Sequence, residues 1–380
     1  MINSLLKEAI SRILRDGKTT SSNYKEFLND ARYMLLYEAK RPDIYSLLVH
    51  LKNSLYGQMI RLEASSVCQL KCRACSTASG KNRKGVVGWG FLSFDDFKSL
   101  VDSNPGIKTI ELSNWGEIFL NPDIDRIIKY GFYNGVKLKA ANGVNLNTVT
   151  EQTLENLVKY RFNYMTVSLD GASHETYKIY RRRGSFKTVI NNIKRINEYK
   201  KKYSTDKPRM SWQFVVFGHN EHEIEKASNM AGDLGMDFKP KLNHTPEYSP
   251  VLNAEEVKKK TGIGAASRDE YKSVKKRVYS RPCTQLWDSP QVNWNGEMLG
   301  CCVNKFGTFG NVFEQGFRTI WMGEKMNYAR NMVTGKAPPR DDIPCINCGV
   351  YKKAVEENDF SSSSNYGIKD IYNWFRQRLF

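Results

Sequence analysis

Three of the chain's eight cysteines, Cys68, Cys72 and Cys75, fall in the short run Cys68-Gln69-Leu70-Lys71-Cys72-Arg73-Ala74-Cys75. A structural zinc site usually pairs its ligands as Cys-x2-Cys twice and closes with four groups. A Cys-x3-Cys-x2-Cys run with no histidine nearby suits three corners of an iron-sulfur cube better. The fourth iron of such a cube then remains open to a ligand that is not a side chain of this run.

The bulk properties set the context for those thiols. At 380 residues, with 40% hydrophobic and 12% aromatic content, the chain is long enough for one large domain with smaller additions. No apolar run reaches the roughly 20 residues that a membrane-crossing helix needs. Near the N-terminus, Leu5, Leu6, Ile10, Ile13 and Leu14 alternate with Lys7, Arg12 and Arg15, the pattern of an amphipathic helix rather than a signal peptide. A cytoplasmic location is expected, where clustered thiols bind metal or do chemistry more often than they form disulfides. The net charge of +18 favours an anionic partner. Solvated lysines on helix faces, such as Lys194, Lys200, Lys201 and Lys202, account for it equally well.

The elements that must position the cysteines read as an α/β fold. Residues 1–58 form a helical extension, with Leu35, Leu36, Tyr45, Leu47 and Leu48 as buried candidates. Strands are expected at 61–65, 108–113, 136–140, 163–169, 211–217 and 237–241. Helices are expected between them at 93–102, 122–133, 150–160, 186–199 and 221–234. Ser93 stands three residues before Asp96, as an N-cap does, and Pro122 suits a first helical turn. Six strand-helix repeats over 59–245 imply a parallel sheet with right-handed crossovers, whose active-site groups gather at the carboxyl ends of the strands. A polar connector follows at 246–281, a second cysteine-bearing region at 282–350, and at 351–380 a serine-rich tail with a last aromatic helix.

The trio directly after the first strand candidate, together with the residues ending the later ones, resembles the radical S-adenosylmethionine superfamily. The resemblance covers about 61–241 for a core and 282–348 for an added domain. It implies a partial (β/α)6 TIM-type barrel whose trio carries a [4Fe-4S] cluster, the open iron being chelated by the amino and carboxylate groups of S-adenosylmethionine. It also implies reductive cleavage to a 5′-deoxyadenosyl radical that abstracts a substrate hydrogen. In Ser113-Asn114-Trp115-Gly116-Glu117, Gly116 and Glu117 are similar to the Gly-Glu element that binds the cofactor's amino group. Asn142-Gly143 is similar to the family's turn after the third strand. Ser168 and Asp170, in Val167-Ser168-Leu169-Asp170-Gly171, are then placed to meet the cofactor's carboxylate or ribose, or to order the loop. Tyr177 and the run Arg181-Arg182-Arg183 resemble the segment that supplies an arginine for that carboxylate, and Arg181 is the chosen candidate. Two departures bear on the adenine pocket. Ala74 stands where many relatives have an aromatic, and Trp115 and Ile118 flank the Gly-Glu pair in place of glycine and proline.

The downstream cysteines resemble a SPASM or twitch domain, with Cys283, Cys301, Cys345 and Cys348 closing an auxiliary [4Fe-4S] cluster; zinc is the alternative occupant. Cys302 is spare. It either packs as a buried thiol or donates a hydrogen atom to a carbon radical in an epimerase. Asn304 replaces the aspartate that related chains carry after the double cysteine. No spacing among the five histidines demands a metal, and His219 and His222 are assigned to loops or surface. Gln213 either meets the cofactor or packs.

The resulting expectation is dehydrogenation of a small molecule, sugar- or aminocyclitol-like, or of a peptide residue, with an anionic substrate favoured. Flavodoxin or ferredoxin is the expected type of electron donor, and neither membrane nor nucleic acid is an expected partner. The alternatives are an epimerase using Cys302 and, from another class, a zinc-bearing nucleic-acid-binding protein.

Overall fold

The computed structural model describes residues 57–275, 279–280 and 282–357. The expected helical extension lies almost wholly outside the described residues, as do the serine run and the last helix. Of the described residues, 57–326 belong to one compact unit and 327–357 to another.

Alternation along the strands builds the sheet. In β1 (Gln58–Leu62), β2 (Ile107–Glu111), β3 (Lys137–Val144), β4 (Tyr164–Ser168), β5 (Arg209–Val216) and β6 (Asp237–Leu242), apolar side chains gather on one face. They are Ile60 and Leu62, Ile110, Leu138 and Ala140, Met165 and Val167, Met210 to Val216 at every second position, and Phe238 to Leu242 likewise. Ile60, Ile110, Leu138, Met165, Trp212 and Phe214 are all nearly inaccessible to solvent. Strand register aligns these residues on one face, because Ile60 pairs with Ile110, Ile110 with Leu138, and Val167 with Trp212. The other face is polar: Arg61 pairs with Glu111, Glu111 with Lys139, Lys139 with Tyr164, and Ser168 with Gln213, which pairs with Lys239.

The sheet order is β6-β5-β4-β3-β2-β1-β7, parallel throughout. Six strands laid side by side in chain order with right-handed crossovers put every connecting helix on one side. The helices are α1 (Phe94–Ser103), α2 (Ile124–Tyr133), α3 (Glu151–Lys159), α4 (His174–Tyr180), α5 (Phe186–Lys202) and α6 (Ile224–Asp233). Their buried stripes, such as Phe97, Leu100 and Val101 of α1 or Val189, Ile193 and Ile196 of α5, supply the helical half of the core.

Several boundaries differ from the sequence expectation. The short β7 (Gln291–Val292) adds a seventh strand beside β1, and α4 is an additional helix. Ser93 does cap α1, its hydroxyl accepting from the Asp96 N–H at 3.0 Å. Pro122, however, precedes α2 rather than opening it: Asn121 Oδ1 accepts the Asp123 N–H at 2.8 Å, and Asp123 becomes the N-cap residue. Asn142-Gly143 is not a turn ending β3, because the strand continues to Val144 and breaks register between Ala140 and Val144. Gly143 absorbs this irregularity with φ of 133°.

Candidate active site

The cysteine loop leaves the carboxyl end of β1 and is fastened to the connections that follow β2 and β4. Val67 O accepts the Glu117 N–H at 2.8 Å, and the Lys71 N–H donates to Arg182 O at 3.0 Å. Cys72 is buried with Leu70, Tyr180 and Phe217, and Cys68, Ala74, Cys75, Val215 and Tyr248 pack against this group. Burial pushes the Cys68 thiol up to about 12, with the Glu117 carboxylate adding to the effect. Burial also pushes Cys72 up, against the opposing pull of Arg181. A thiolate is the ligating form, so these groups ionise readily only when a metal supplies positive charge. Among the described residues no three His, Cys, Asp or Glu side chains converge on a position for a single metal ion; a cube takes its thiolates on separate irons.

Gly116 sits where no side chain fits. A Cβ there would lie 2.2 Å from Ser65 O, 2.5 Å from Val67 O and 2.7 Å from Ser66 C, all backbone of the strand exit leading into Cys68. Behind it, the fully buried Glu63 carboxylate accepts the Trp115 N–H at 3.0 Å and the Gly116 N–H at 3.3 Å. Burial raises Glu63 to about 8 despite these backbone donors. The Glu117 carboxylate accepts the Asn145 N–H at 2.6 Å and the Phe119 N–H at 3.4 Å. Burial lifts it to about 7. A buried carboxylate held chiefly by backbone amides is electrostatically suited to a cation, which gives this position the right chemistry for an ammonium group.

The third and fourth strand ends meet beside it. Asn142 donates its Nδ2 hydrogen to Asn114 Oδ1 at 2.8 Å, while its N–H donates to Ser113 Oγ at 3.1 Å. Ser168 is buried, and a Cβ at Gly143 would fall 2.5 Å from its hydroxyl. Asp170 is fully buried and braces the loop: Oδ1 accepts the Val215 N–H at 2.8 Å and Oδ2 accepts Arg181 Nε at 2.6 Å. Arg181 Nη1 reaches Cys72 Sγ at 3.7 Å. Of the three consecutive arginines it alone turns inward; Arg182 and Arg183 are exposed. Two of its nitrogens are engaged by Asp170 and Cys72, and a guanidinium has five N–H donors in all.

The downstream cysteines fall in both units. In the larger one, Cys283 lies in a 3-10 turn at Pro282–Thr284, and Cys301 is buried just after Gly300. Cys302 is held from two sides. Its N–H donates to Gln285 Oε1 at 2.7 Å and its Sγ accepts from Gln285 Nε2 at 3.3 Å. Its carbonyl accepts from Asn114 Nδ2 at 3.0 Å, so the bonds Asn142–Asn114–Cys302 tie this segment to the exits of β2 and β3. In the smaller unit, Cys345 and Cys348 are buried at either end of one turn, where the Cys348 N–H donates to Cys345 O at 3.0 Å.

Sequence reasoning missed Glu63, Asn114, Asn145 and Tyr248. Asn145 Nδ2 points to Cys68 Sγ at 4.0 Å and Tyr248 packs on the cysteine loop. Their roles rest on partners far away in the chain. The one available signal was Glu63 itself, an acidic residue between Leu62 and Ala64 at the centre of the strand candidate 61–65. His219 is half-buried in a loop, stacked on Phe217 and bonded through Nδ1 to Ser249 Oγ at 2.8 Å.

The Radical SAM superfamily model matches residues 62–231, and a SPASM model, described as an iron-sulfur cluster-binding domain, matches residues 283–349. An AdoMet-dependent heme synthase of Methanosarcina barkeri is 28% identical over 180 residues, 47% of this chain and 48% of that protein. The chain thus spans about half the length of that relative. A tungsten-containing aldehyde ferredoxin oxidoreductase cofactor-modifying protein of Pyrococcus furiosus is 21% identical over 323 residues, 76% of this chain and 86% of that protein. The crystal structure of Streptococcus suis SuiB bound to S-adenosylmethionine superposes with a TM-score of 0.57 at 15% identity, covering 92% of this chain and 81% of SuiB, a likeness of fold. No helix among the described residues is long and apolar enough to cross a membrane. Four-iron clusters and S-adenosylmethionine are the cofactors that such a pair of domains takes. Residues 62–231 therefore belong to the radical SAM superfamily, and residues 283–349 to the SPASM iron-sulfur cluster-binding domains.

Proposed function

We propose that this enzyme dehydrogenates a hydroxyl-bearing small molecule, sugar- or aminocyclitol-like, by hydrogen abstraction at the exits of β1 to β4. When bound, S-adenosylmethionine and its cluster would supply the radical that takes the carbon-bound hydrogen atom, and an auxiliary cluster would accept the remaining electron while the hydroxyl proton leaves to solvent. Cys68, Cys72 and Cys75 would hold the first cluster; Cys283, Cys301, Cys345 and Cys348 would hold the second. Gly116, through its backbone, and Glu117, through its cation-seeking carboxylate, suit the cofactor's ammonium group. Arg181 suits its carboxylate, with Asp170 fixing the guanidinium plane. Asn142 and Ser168 suit its hydroxyls. An electron donor of the flavodoxin or ferredoxin kind completes the reaction.

The observation carrying the dehydrogenation reading is the Asn142–Asn114–Cys302 chain of hydrogen bonds. It brings the cysteine segment of the SPASM domain to the strand exits, which suits withdrawal of an electron from a substrate radical formed there. A second reading rests on the Cys302 thiol. Its sulfur accepts from Gln285, which leaves the S–H hydrogen uncommitted and fit for donation to a carbon radical, as an epimerase requires.

Anaerobic turnovers with candidate polyols separate the two. Dehydrogenation predicts one deoxyadenosine per product lighter by two hydrogens, with Cys302→Ala retaining that product. An unchanged mass with one deuterium gained from heavy water, abolished in Cys302→Ala, would overturn dehydrogenation in favour of epimerisation.

A further inference from the structure

The polar face of the sheet carries a group of cations that the cofactor site does not use. Lys239 and Lys241 are two residues apart on β6, so both side chains project from the same face, roughly 7 Å apart along the strand. Among the described residues neither forms an ion pair with a carboxylate. Asp170, the acid electrostatically coupled to Lys241, is already committed to Arg181 and the Val215 N–H. Lys241 is only partly exposed, and burial, reinforced by repulsion from Lys239, lowers its proton affinity. Arg268 adds a third positive group nearby, its guanidinium bonded to Leu242 O at 3.3 Å and lying over the Tyr279 ring. An uncompensated, partly buried ammonium beside two further cations is unfavourable unless an anion joins it.

The neighbouring strands add neutral polar groups. Lys239 donates to the Tyr164 hydroxyl, which also shares a hydrogen bond with Ser211 Oγ at 2.7 Å and accepts from Thr166 Oγ1 at 3.1 Å. Between Ser168 and Lys239 in the strand register lies Gln213. It is 7% exposed, and its Oε1 is buried without a hydrogen-bond partner. Such an acceptor is costly to leave unpaired. It calls for a ligand hydroxyl or amine rather than for another anion.

We propose that the substrate is a hydroxylated small molecule bearing an acidic group, carboxylate or phosphate, held by Lys239 and Lys241, with Gln213 accepting from one of its hydroxyls. The inference rests on the functional reading above and names the substrate class for that site. The row Ser168–Gln213–Lys239 joins the anion site to the strand end where the cofactor is placed, so an acid held on β6 would carry its hydroxyls toward the β4 exit.

The test follows Lys241 directly and needs no identified substrate. Reconstituted holoenzyme is acetylated in a limited reaction, and labelling of Lys241 is followed by mass spectrometry relative to Lys226, an exposed lysine on α6. Glucose 6-phosphate, glucuronate, glucose, inorganic phosphate, a short polyglutamate peptide and S-adenosylmethionine are added separately. Glucose 6-phosphate or glucuronate should slow Lys241 labelling about tenfold, the equivalent of one charge-assisted hydrogen bond, and whichever acts identifies the acid. Glucose should not. Lys239→Met should abolish the protection and Lys241→Arg should keep the affinity for the protecting acid. Gln213→Leu should weaken protection by the sugar acid but not by inorganic phosphate.

Equal labelling with every anion overturns the proposal, and protection by polyglutamate alone overturns the small-molecule class. Protection by S-adenosylmethionine alone, with its binding lost in Lys241→Met, would assign the lysines to the cofactor's carboxylate and also overturn it. The functional reading fails separately, if the wild-type cluster shows no change in its electron paramagnetic resonance spectrum on addition of S-adenosylmethionine.

Discussion

Gly116→Ala is the sharpest single-atom perturbation the site offers. The added methyl carbon would stand 2.2 Å from Ser65 O, 2.5 Å from Val67 O and 2.7 Å from Ser66 C. Ordinary contact needs about 3.4 Å, so either the 65–67 backbone or the 115–117 backbone must give way by roughly 1 Å, and no flexible side chain is available to move instead. Overpacking of this kind typically costs about 1–3 kcal/mol, or a melting point lower by several degrees in a domain of this size. The functional loss should exceed the thermal one. The displaced backbone leads straight into Cys68 and carries the Glu117 N–H bond to Val67 O, and a misplacement of about 1 Å at a reacting centre can cost on the order of a hundredfold in rate. The assay pairs thermal melts and iron content with deoxyadenosine formation under dithionite. Gly106→Ala is the control, because nothing lies within 4 Å of its added carbon. Wild-type melting and deoxyadenosine formation in Gly116→Ala would refute the steric reasoning.

Two further outcomes follow from the same geometry. Asp170→Asn removes the acid from a buried pair and leaves Arg181 uncompensated beside Cys72; urea unfolding should show a loss of about 3–5 kcal/mol, and adding Arg181→Met should recover part of it, whereas additive losses would refute the pairing. In the apoprotein, Glu63 and Glu117 rise from an ordinary 4.5 to about 8 and about 7, so the folded state keeps protons that the unfolded chain has released. Their contribution is fully present below 4.5 and drains away as pH rises toward 8. Melting temperature should fall across that window, less steeply in Glu63→Gln; a slope unchanged by that substitution would show that Glu63 is not the titrating group.

Local signals carried most of what the sequence made legible. The cysteine trio is a matter of spacing over eight residues, the Ser93 cap is a matter of three, and period-two alternation marks β4, β5 and β6, where one strand face is buried. What escaped depends on distant partners. β7 is two residues long, too short for any period, and forms because Gln291 and Val292 meet Arg61 and Leu62. Asn142-Gly143 has the composition of a tight turn, but pairing of Val144 with Val167 keeps the chain extended and turns the expected corner into a register break. Three adjacent arginines are chemically alike on paper. Only the C-cap geometry after α4 sends Arg181 inward to Asp170 while Arg183 takes φ of 66° and faces solvent. Glu63 could be recognised as out of place in a strand, but its task of holding the Trp115 and Gly116 amides spans about fifty residues of chain.

The one-sided placement of the helices has a consequence for how this protein can change. Folding depends on the apolar face and its helices, and cofactor chemistry on the exit loops, whereas positions such as Thr109, Lys137, Thr166, Ser211, Asp237 and Lys239 point from the remaining face. Substitutions at the exposed ones, Lys137, Asp237 and Lys239, leave both the core and the cysteine loop in place. Selectivity can therefore drift residue by residue across that surface while the reactive end stays fixed, so two descendants of one ancestor could share every cysteine and process different molecules.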